Sequence, residues 1–217
     1  MFRFDLHVHT EHSPCSRLET REILRNARRM GLDGVCITDH DTMAARREVV
    51  EGLQDDGLCV VIGMEYTTPE GDFLLFGPFE DLPPGLPAQA LLRLVAQVDG
   101  AAVAAHPFRR GRGVAEALVR GGLCRVVEGR NGRNTPEEDA AVRPWAEAYG
   151  VGLAGGSDAH ALHELGRVVT GFHQPVRNRD DLVAQLNRGR FLPLVLHRPV
   201  VFPAGPAPRP VHSNLNI

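Results

Sequence analysis

Strict alternation opens the chain. Phe2, Phe4, Leu6 and Val8 interleave with Arg3, Asp5, His7 and His9. A strand sends successive side chains to opposite faces, so this pattern predicts a strand with one apolar face, able to pack under helices. Its other face ends in two histidines one pleat apart. Helical spacing follows. Ile23, Leu24, Ala27 and Met30 make a buried stripe over residues 18–30, with Ser16 and Glu19 as a capping box and Gly31 as the stop. Residues 34–38 read as a short buried strand. Residues 43–55 read as a helix capped by Asp41 or Thr42 and stopped at Gly57. Residues 58–64 form a continuous apolar run, expected of a strand covered on both faces. A return strand over 72–76, a helix over 88–98 and a strand over 101–105 come next. A glycine-rich stretch with a short helix then leads to a strand over 123–127. Thr135, Pro136, Glu137 and Glu138 mark a helix start, with Ala141, Val142, Trp145 and Ala148 as its apolar face. Pro144 would cost an unbroken helix about 3 kcal/mol, so a kink or a late start is predicted there. Strands over 151–154 and 168–172, a helix over 180–188 and a strand over 191–196 complete the pattern.

This alternation of strands and helices predicts parallel strands joined by helical crossovers in one α/β domain. The 217 residues suit a doubly wound sheet or an α/β barrel equally. The domain is expected to span residues 1–197. Residues 198–217 carry recurring prolines (Pro199, Pro203, Pro206, Pro208, Pro210) and read as an extended tail. No internal repeat is visible.

Composition narrows the chemistry. With 43% hydrophobic residues and a net charge of -3, there is a core to bury and no strong electrostatic case for nucleic acid or membrane. No apolar run approaches the roughly 20 residues that span a bilayer, and the immediate strand pattern reads as lacking a signal peptide. Cys36, Cys59 and Cys124 sit in or beside apolar runs as small buried thiols, while Cys15 lies in a polar loop. None form a CxxC pair, so a disulfide framework is not expected and a cytosolic location is. All 24 basic side chains are arginine. The absence of lysine excludes Schiff-base chemistry and a carbamylated-lysine metal bridge. Arginine also suits bidentate binding of phosphate.

The candidate chemistry lies at the predicted strand ends. His7 and His9 end the first strand, Asp39 and His40 the second, and Glu65 the third. His106 and Glu128 end later ones, and Asp158 and His160 follow the strand over 151–154. In parallel α/β folds, sites form at the carboxyl ends of strands. Each residue has a plain structural reading: Asp39 as a helix cap, His106 as a loop histidine, Asp158 as a turn residue, Arg109 to Arg112 as a solvated loop. Their joint placement favours a metal centre. Imidazole and carboxylate suit zinc, manganese or iron, and so large a set implies two or three divalent ions. Two close metals can hold a hydroxide and stabilise the attacking and leaving oxygens of a phosphoryl displacement. Arg109, Arg110, Arg130 and Arg133 follow the His106 and Glu128 strand ends as candidate phosphate binders. His12, His163, His173, His197 and His212 show no such placement.

The stretches Asp5 to Thr10, Ile37 to Asp41, Gly63 to Glu65, Ala105 to Pro107 and Gly156 to His160 together resemble the PHP family, the polymerase and histidinol phosphatase domain. The resemblance runs from residue 5 to about 172. It implies a distorted (β/α)7 barrel with up to three metals. By that similarity His7, His9, Glu65 and Asp158 hold the first ion. Glu65, His106 and Glu128 hold the second, and His40 and His160 the third, to which His12 or Cys15 is a candidate addition. Glu128 stands where some members carry histidine or cysteine.

The resulting expectation is a metal-dependent phosphoesterase working through a metal-bridging hydroxide. Asp39, His40 and His160 are the candidates for protonating or orienting the leaving oxygen. The expected substrate is a small phosphorylated molecule, a nucleotide, or the end of a short RNA or DNA. A histidinol-phosphate-type phosphomonoesterase ranks second. Amide hydrolysis on a related metal barrel and a non-catalytic metal-binding module are the alternatives of other classes.

Overall fold

A computed structural model describes residues 1–196; the tail reading for 198–217 and the positions of His197 and His212 lie outside the described residues. The strands, in chain order, are β1 (Phe2–Val8), β2 (Gly34–Ile37), β3 (Gly52–Leu53), β4 (Cys59–Ile62), β5 (Met64–Thr68), β6 (Gly71–Phe76), β7 (Ala101–Ala104), β8 (Val126–Asn131), β9 (Gly152–Gly156), β10 (Val168–Phe172) and β11 (Phe191–Val195). The helices are α1 (Thr20–Ala27), α2 (Ala88–Gln97), α3 (Glu116–Arg120), α4 (Pro136–Ala140), α5 (Arg143–Tyr149) and α6 (Arg179–Arg188). No described helix is long and apolar enough to cross a membrane.

The single α/β unit is as expected, but its strands are not all parallel. One sheet runs β11-β10-β1-β2-β4-β3 and the other β5-β6-β7-β8-β9. The core pairs β1–β2, β2–β4, β7–β8 and β8–β9 are parallel. The remaining pairs are antiparallel: β3–β4 and β5–β6 across short turns, the latter closed by Thr68 and Gly71, and β6–β7, β10–β11 and β1–β10 across longer connections. Among the described residues no continuous ladder closes these sheets into a barrel. They meet instead at two seams. At one, the chain passes from β4 to β5 through Gly63, and His40 bridges Glu65. At the other, His9 N–H donates to the Ala159 carbonyl (2.9 Å) and Ala159 N–H to that of His7 (3.2 Å).

The first strand does not keep one apolar face. Phe4 and Leu6 join an apolar cluster drawn from both sheets and α6, whereas Val8 joins the cluster that holds α1, α2 and α3. A register shift between Asp5 and Val8 separates the two. Two local expectations also change. Residues 43–55 form only a 3-10 turn at Ala44–Arg47 followed by β3. β-Branched Val49 and Val50 are poor helix formers, Gly52 takes φ +107, and Glu51 Oε1 accepts from Ile62 N–H (2.7 Å), which draws the segment to the sheet edge. Ser16 does not cap α1; its hydroxyl donates to the His9 carbonyl (3.0 Å), and Glu11 Oε2 takes the Thr20 N–H (2.8 Å). The Thr135 capping box is present, and the helix breaks before Arg143, leaving Pro144 in the first turn of α5 where its missing N–H is tolerated.

Gly63 sits where the chain changes sheet, and a Cβ there would lie 2.4 Å from the Leu75 carbonyl oxygen. Because that atom is backbone, Gly63→Ala is expected to lower stability by about 1–3 kcal/mol in urea unfolding. An unchanged midpoint would contradict this packing.

Candidate metal centre

Both seams deliver polar side chains to one place. His7, His9, Glu65, His106, Glu128 and Asp158 are each no more than 3% exposed, while His40 and His160 stand at the rim. Their backbones are placed with strain. Of these, His106 and Asp158 take φ of 29° and 53°, as does Asp41 (53°) next to His40, a region that non-glycine residues rarely enter.

Outer hydrogen bonds decide which ring nitrogens face inward. His7 Nδ1 lies 2.9 Å from Glu128 Oε1, so that nitrogen carries the proton and donates. Ser13 Oγ donates to Asp39 Oδ1 (2.6 Å) and accepts from His9 Nδ1–H (3.1 Å). His160 Nδ1–H donates to the Asp158 carbonyl (2.9 Å). Fixing Nδ1–H in this way leaves each Nε2 lone pair free for an ion. The inward atoms are then mostly acceptors. His7 Nε2 is 3.0 Å from His9 Nε2, and both lie 3.2 Å from Glu65 Oε2. Asp158 Oδ1 is 3.4 Å from His9 Nε2, and His106 Nε2 is 2.8 Å from Glu65 Oε1.

Lone pairs this close in a buried site repel unless a cation lies among them. The titration directions agree. Burial opposes charge on His7, yet the Asp158, Glu128 and Glu65 carboxylates outweigh it and hold its pKa well above the ordinary value. Burial would raise Glu65 and Asp158, but His7 and the neighbouring imidazoles hold both well below the usual carboxylate range. A proton can serve as that cation on His7. Divalent ions fit the donor set better, since His7, His9 and Asp158 form one group, His7, Glu65 and His106 a second, His9, His40 and Glu65 a third, and His9, Cys15 and His160 a fourth.

Comparison with known proteins bears on the family. The PHP domain model matches residues 5–106 and the PHP-associated model residues 137–191. The uncharacterized protein MJ1587 of Methanocaldococcus jannaschii is 35% identical over 114 residues, which cover 48% of this chain and 67% of that protein. The chain belongs to the PHP domain family.

Solved structures share the fold of this PHP domain. PsfC from Pseudomonas syringae superposes with a TM-score of 0.71 at 21% identity, covering 90% of this chain and 93% of that one. A putative metal-dependent phosphoesterase from Bifidobacterium adolescentis gives 0.63 at 18% identity, covering 86% and 96%. The lesion-specific endonuclease PfuEndoQ from Pyrococcus furiosus gives 0.61 at 16% identity, covering 88% of this chain but 57% of the endonuclease.

The PHP site assembles most of the sequence-derived candidates and redirects others. Glu128 reaches the site, but its oxygens are occupied. Oε1 accepts from His7, and Oε2 accepts from His106 N–H and Asn131 Nδ2–H, both at 2.8 Å. It joins no ligand group among the described residues, and its contact with His7 Nδ1 is one that would orient that ring. Asp39, a candidate acid, is spent on the loop after β1: Oδ1 accepts from Thr10 N–H and Ser13 Oγ–H, and Oδ2 from Thr10 Oγ–H. Arg109 Nη1 pairs with Asp158 Oδ2 at 2.8 Å, and its Nε and Nη2 donate to Asn134 and Asn131. Arg130 pairs with Asp139 (3.7 Å) and Arg133 with Glu164 (3.6 Å). His12 pairs with Glu48 (3.2 Å), whereas Cys15 Sγ is 3.1 Å from His160 Nε2.

Residues missed in the sequence are the ones that support the ligands. Asp5 is fully buried and accepts from Ser157 N–H, Ser157 Oγ–H and Gly166 N–H, which fixes the turn carrying Asp158. Ser13, Asn131 and Asp72 are likewise polar and buried. Asp5 could have been read as an inward carboxylate flanking His7; Ser13 and Asn131 carry no signal that spacing reveals.

If Glu128 orients His7 without binding an ion, Glu128→Gln should keep the fold and metal stoichiometry while weakening metal affinity by roughly 10- to 100-fold. Competitive chelator titration measures this. Loss of a whole equivalent of metal in that variant would restore Glu128 as a ligand.

Proposed function

We propose that this PHP domain is a metal-dependent phosphoesterase that hydrolyses a phosphate ester, with a nucleotide or an oligonucleotide end as substrate class. The observation that carries the reading is the convergence of buried, inward-facing acceptor atoms of His7, His9, Glu65, His106 and Asp158. Such a set fits divalent cations, and family membership supports hydrolysis. We place His7, His9, Glu65 and Asp158 on one ion and Glu65 and His106 on a second, with His40, His160 and Cys15 as the rim set for a third. These strands and loops form the top of a distorted barrel open at its seams. The fold likeness to PfuEndoQ, a lesion-specific endonuclease, is in keeping with a phosphate ester of nucleic acid or a nucleotide; the choice of an end is part of the proposal.

When bound, the ions supply a water of lowered pKa and neutralise phosphate charge. The protein supplies the rest. In the reaction, water oxygen bonds to phosphorus, the ester P–O bond breaks, and the departing oxygen must gain a proton. His40 and His160 are the partly exposed imidazoles, 19% and 17% exposed, each with its ring about one ring-width from that of His9 (4.6 and 4.5 Å between centroids). Burial depresses both pKa values, so both are neutral near pH 7, and either could accept the proton that the attacking water loses and pass it to the departing oxygen, or bind an ion. Asp39 keeps the loop of Thr10 and Ser13 in place.

Phosphate release from p-nitrophenyl phosphate, histidinol phosphate, a 3′,5′-bisphosphonucleotide and a short 5′-phosphorylated RNA tests the reading, with metal content read on the same samples. Activity should follow metal content and fall by about 100-fold or more in Glu65→Ala and His7→Ala. A preference for the nucleotide and RNA substrates is expected. Full metal content with no turnover on any of the four would overturn the phosphoesterase reading.

A further inference from the structure

The loop after His106 carries three arginines: Arg109; Arg110, whose backbone N–H donates to Glu138 and whose side chain has no ion-pair partner among the described residues; and Arg112, which stands beside the buried Asp72 next to His106. Arg109 has both edges of its fork engaged, by Asp158 and by Asn131 with Asn134. Arg130 and Arg133 are drawn to Asp139 and Glu164. Arg112 differs. Its side chain is 51% exposed, and its Nη1 is 3.4 Å from Asp72 Oδ2, an ion pair without a hydrogen bond. Its charge acts on His40 as well as on Asp72. Asp72 is 3% exposed, stands on β6, and its Oδ2 lies 4.0 Å from His106 Nε2. Among the described residues that oxygen has no hydrogen-bond partner.

The backbone under Arg112 is fixed. Arg109 N–H donates to the His106 carbonyl, Arg112 N–H to that of Arg109, Val114 N–H to that of Pro107 and Ala115 N–H to that of Glu70, all within 2.8–3.0 Å. Val114 rests on Gly71 so closely that a Cβ there would lie 2.6 Å from Val114 Cγ2. The turn therefore sets Arg112 beside the first residues of β6, at the His40 and His106 side of the metal centre.

We propose that Arg112 binds the non-bridging oxygens of the substrate phosphate and that Asp72 is its positioning residue; the substrate role rests on the phosphoesterase reading above. A guanidinium has two edges. With Nη1 turned to Asp72, the other edge remains for a bidentate grip on phosphate. Asp72 is buried, and its Oδ2 faces Arg112 Nη1, so it orients the fork without itself meeting the substrate.

Binding of inorganic phosphate to the metal-loaded full chain, measured by calorimetry, tests this apart from turnover. Arg112→Ala should weaken binding by roughly 10- to 100-fold with metal content unchanged, and Arg112→Lys should recover part of it. Asp72→Asn should weaken binding less, and should add nothing further in the double variant with Arg112→Ala. Phosphate affinity within twofold of wild type in Arg112→Ala would overturn the role of Arg112, and so would a metal-loaded wild type that binds no phosphate. Additive effects of the two substitutions would overturn the positioning role of Asp72. If wild type binds phosphate through Arg112 yet hydrolyses no ester, the anion site stands and the phosphoesterase reading fails.

Discussion

The mutual repulsion of buried acceptors is the constraint around which this PHP domain is built. Two imidazole nitrogens 3.0 Å apart, with a glutamate oxygen 3.2 Å from each, cannot rest in a dry interior without positive charge among them. Without an ion, the cluster can gain that charge by protonating His7 or His9, whose pKa values the surrounding carboxylates raise against burial. The scaffold around the cluster aims these lone pairs at one another. Glu128, Ser13 and the Asp158 carbonyl each take an Nδ1 proton and turn an Nε2 inward.

The two-sheet architecture serves this arrangement. His9 and Asp158 come from the seam at Ala159, and His40 and Glu65 from the seam at Gly63. Each seam is a place where ladder pairing gives way and a strand end can bend toward the centre. Asp5 then ties β1 to the turn of Ser157 and Gly166, so ligands some 150 residues apart share one rigid frame. Buried polar networks of this kind are stabilising only when every member is satisfied. Supporting residues such as Asp5 and Asp39 are therefore as necessary to the site as its ligands.

Much of this was legible in the sequence because strands bring their last residues to a common end. His7, His9, His40, Glu65, His106, Asp158 and His160 could all be picked out by that rule, and the structure gathers them. What periodicity does not carry is which atom of a side chain faces where. Glu128 was expected as a ligand because carboxylates at strand ends resemble ligands; its role depends on three donors from residues 7, 106 and 131, which only the folded chain brings together. The same limit applies to Arg109 and Arg112, three residues apart in one loop, of which the first is locked to Asp158 and the second faces Asp72. Strand direction was also out of reach, because β6–β7 and β10–β11 are antiparallel although each pair encloses a helix, the same strand–helix–strand pattern that a parallel crossover gives.

The most direct test is thermal unfolding of the chelator-treated chain before and after addition of zinc or manganese, in wild type and in His7→Ala. Ions that bind the folded cluster at 100 times their dissociation constant add about 2.7 kcal/mol, which for a chain of this size raises Tm by roughly 5–10 °C. Wild type should show that rise and His7→Ala should lose most of it. A wild-type Tm that stays within about one degree across saturating metal would mean that no cation is needed among these side chains, and would contradict the metal centre.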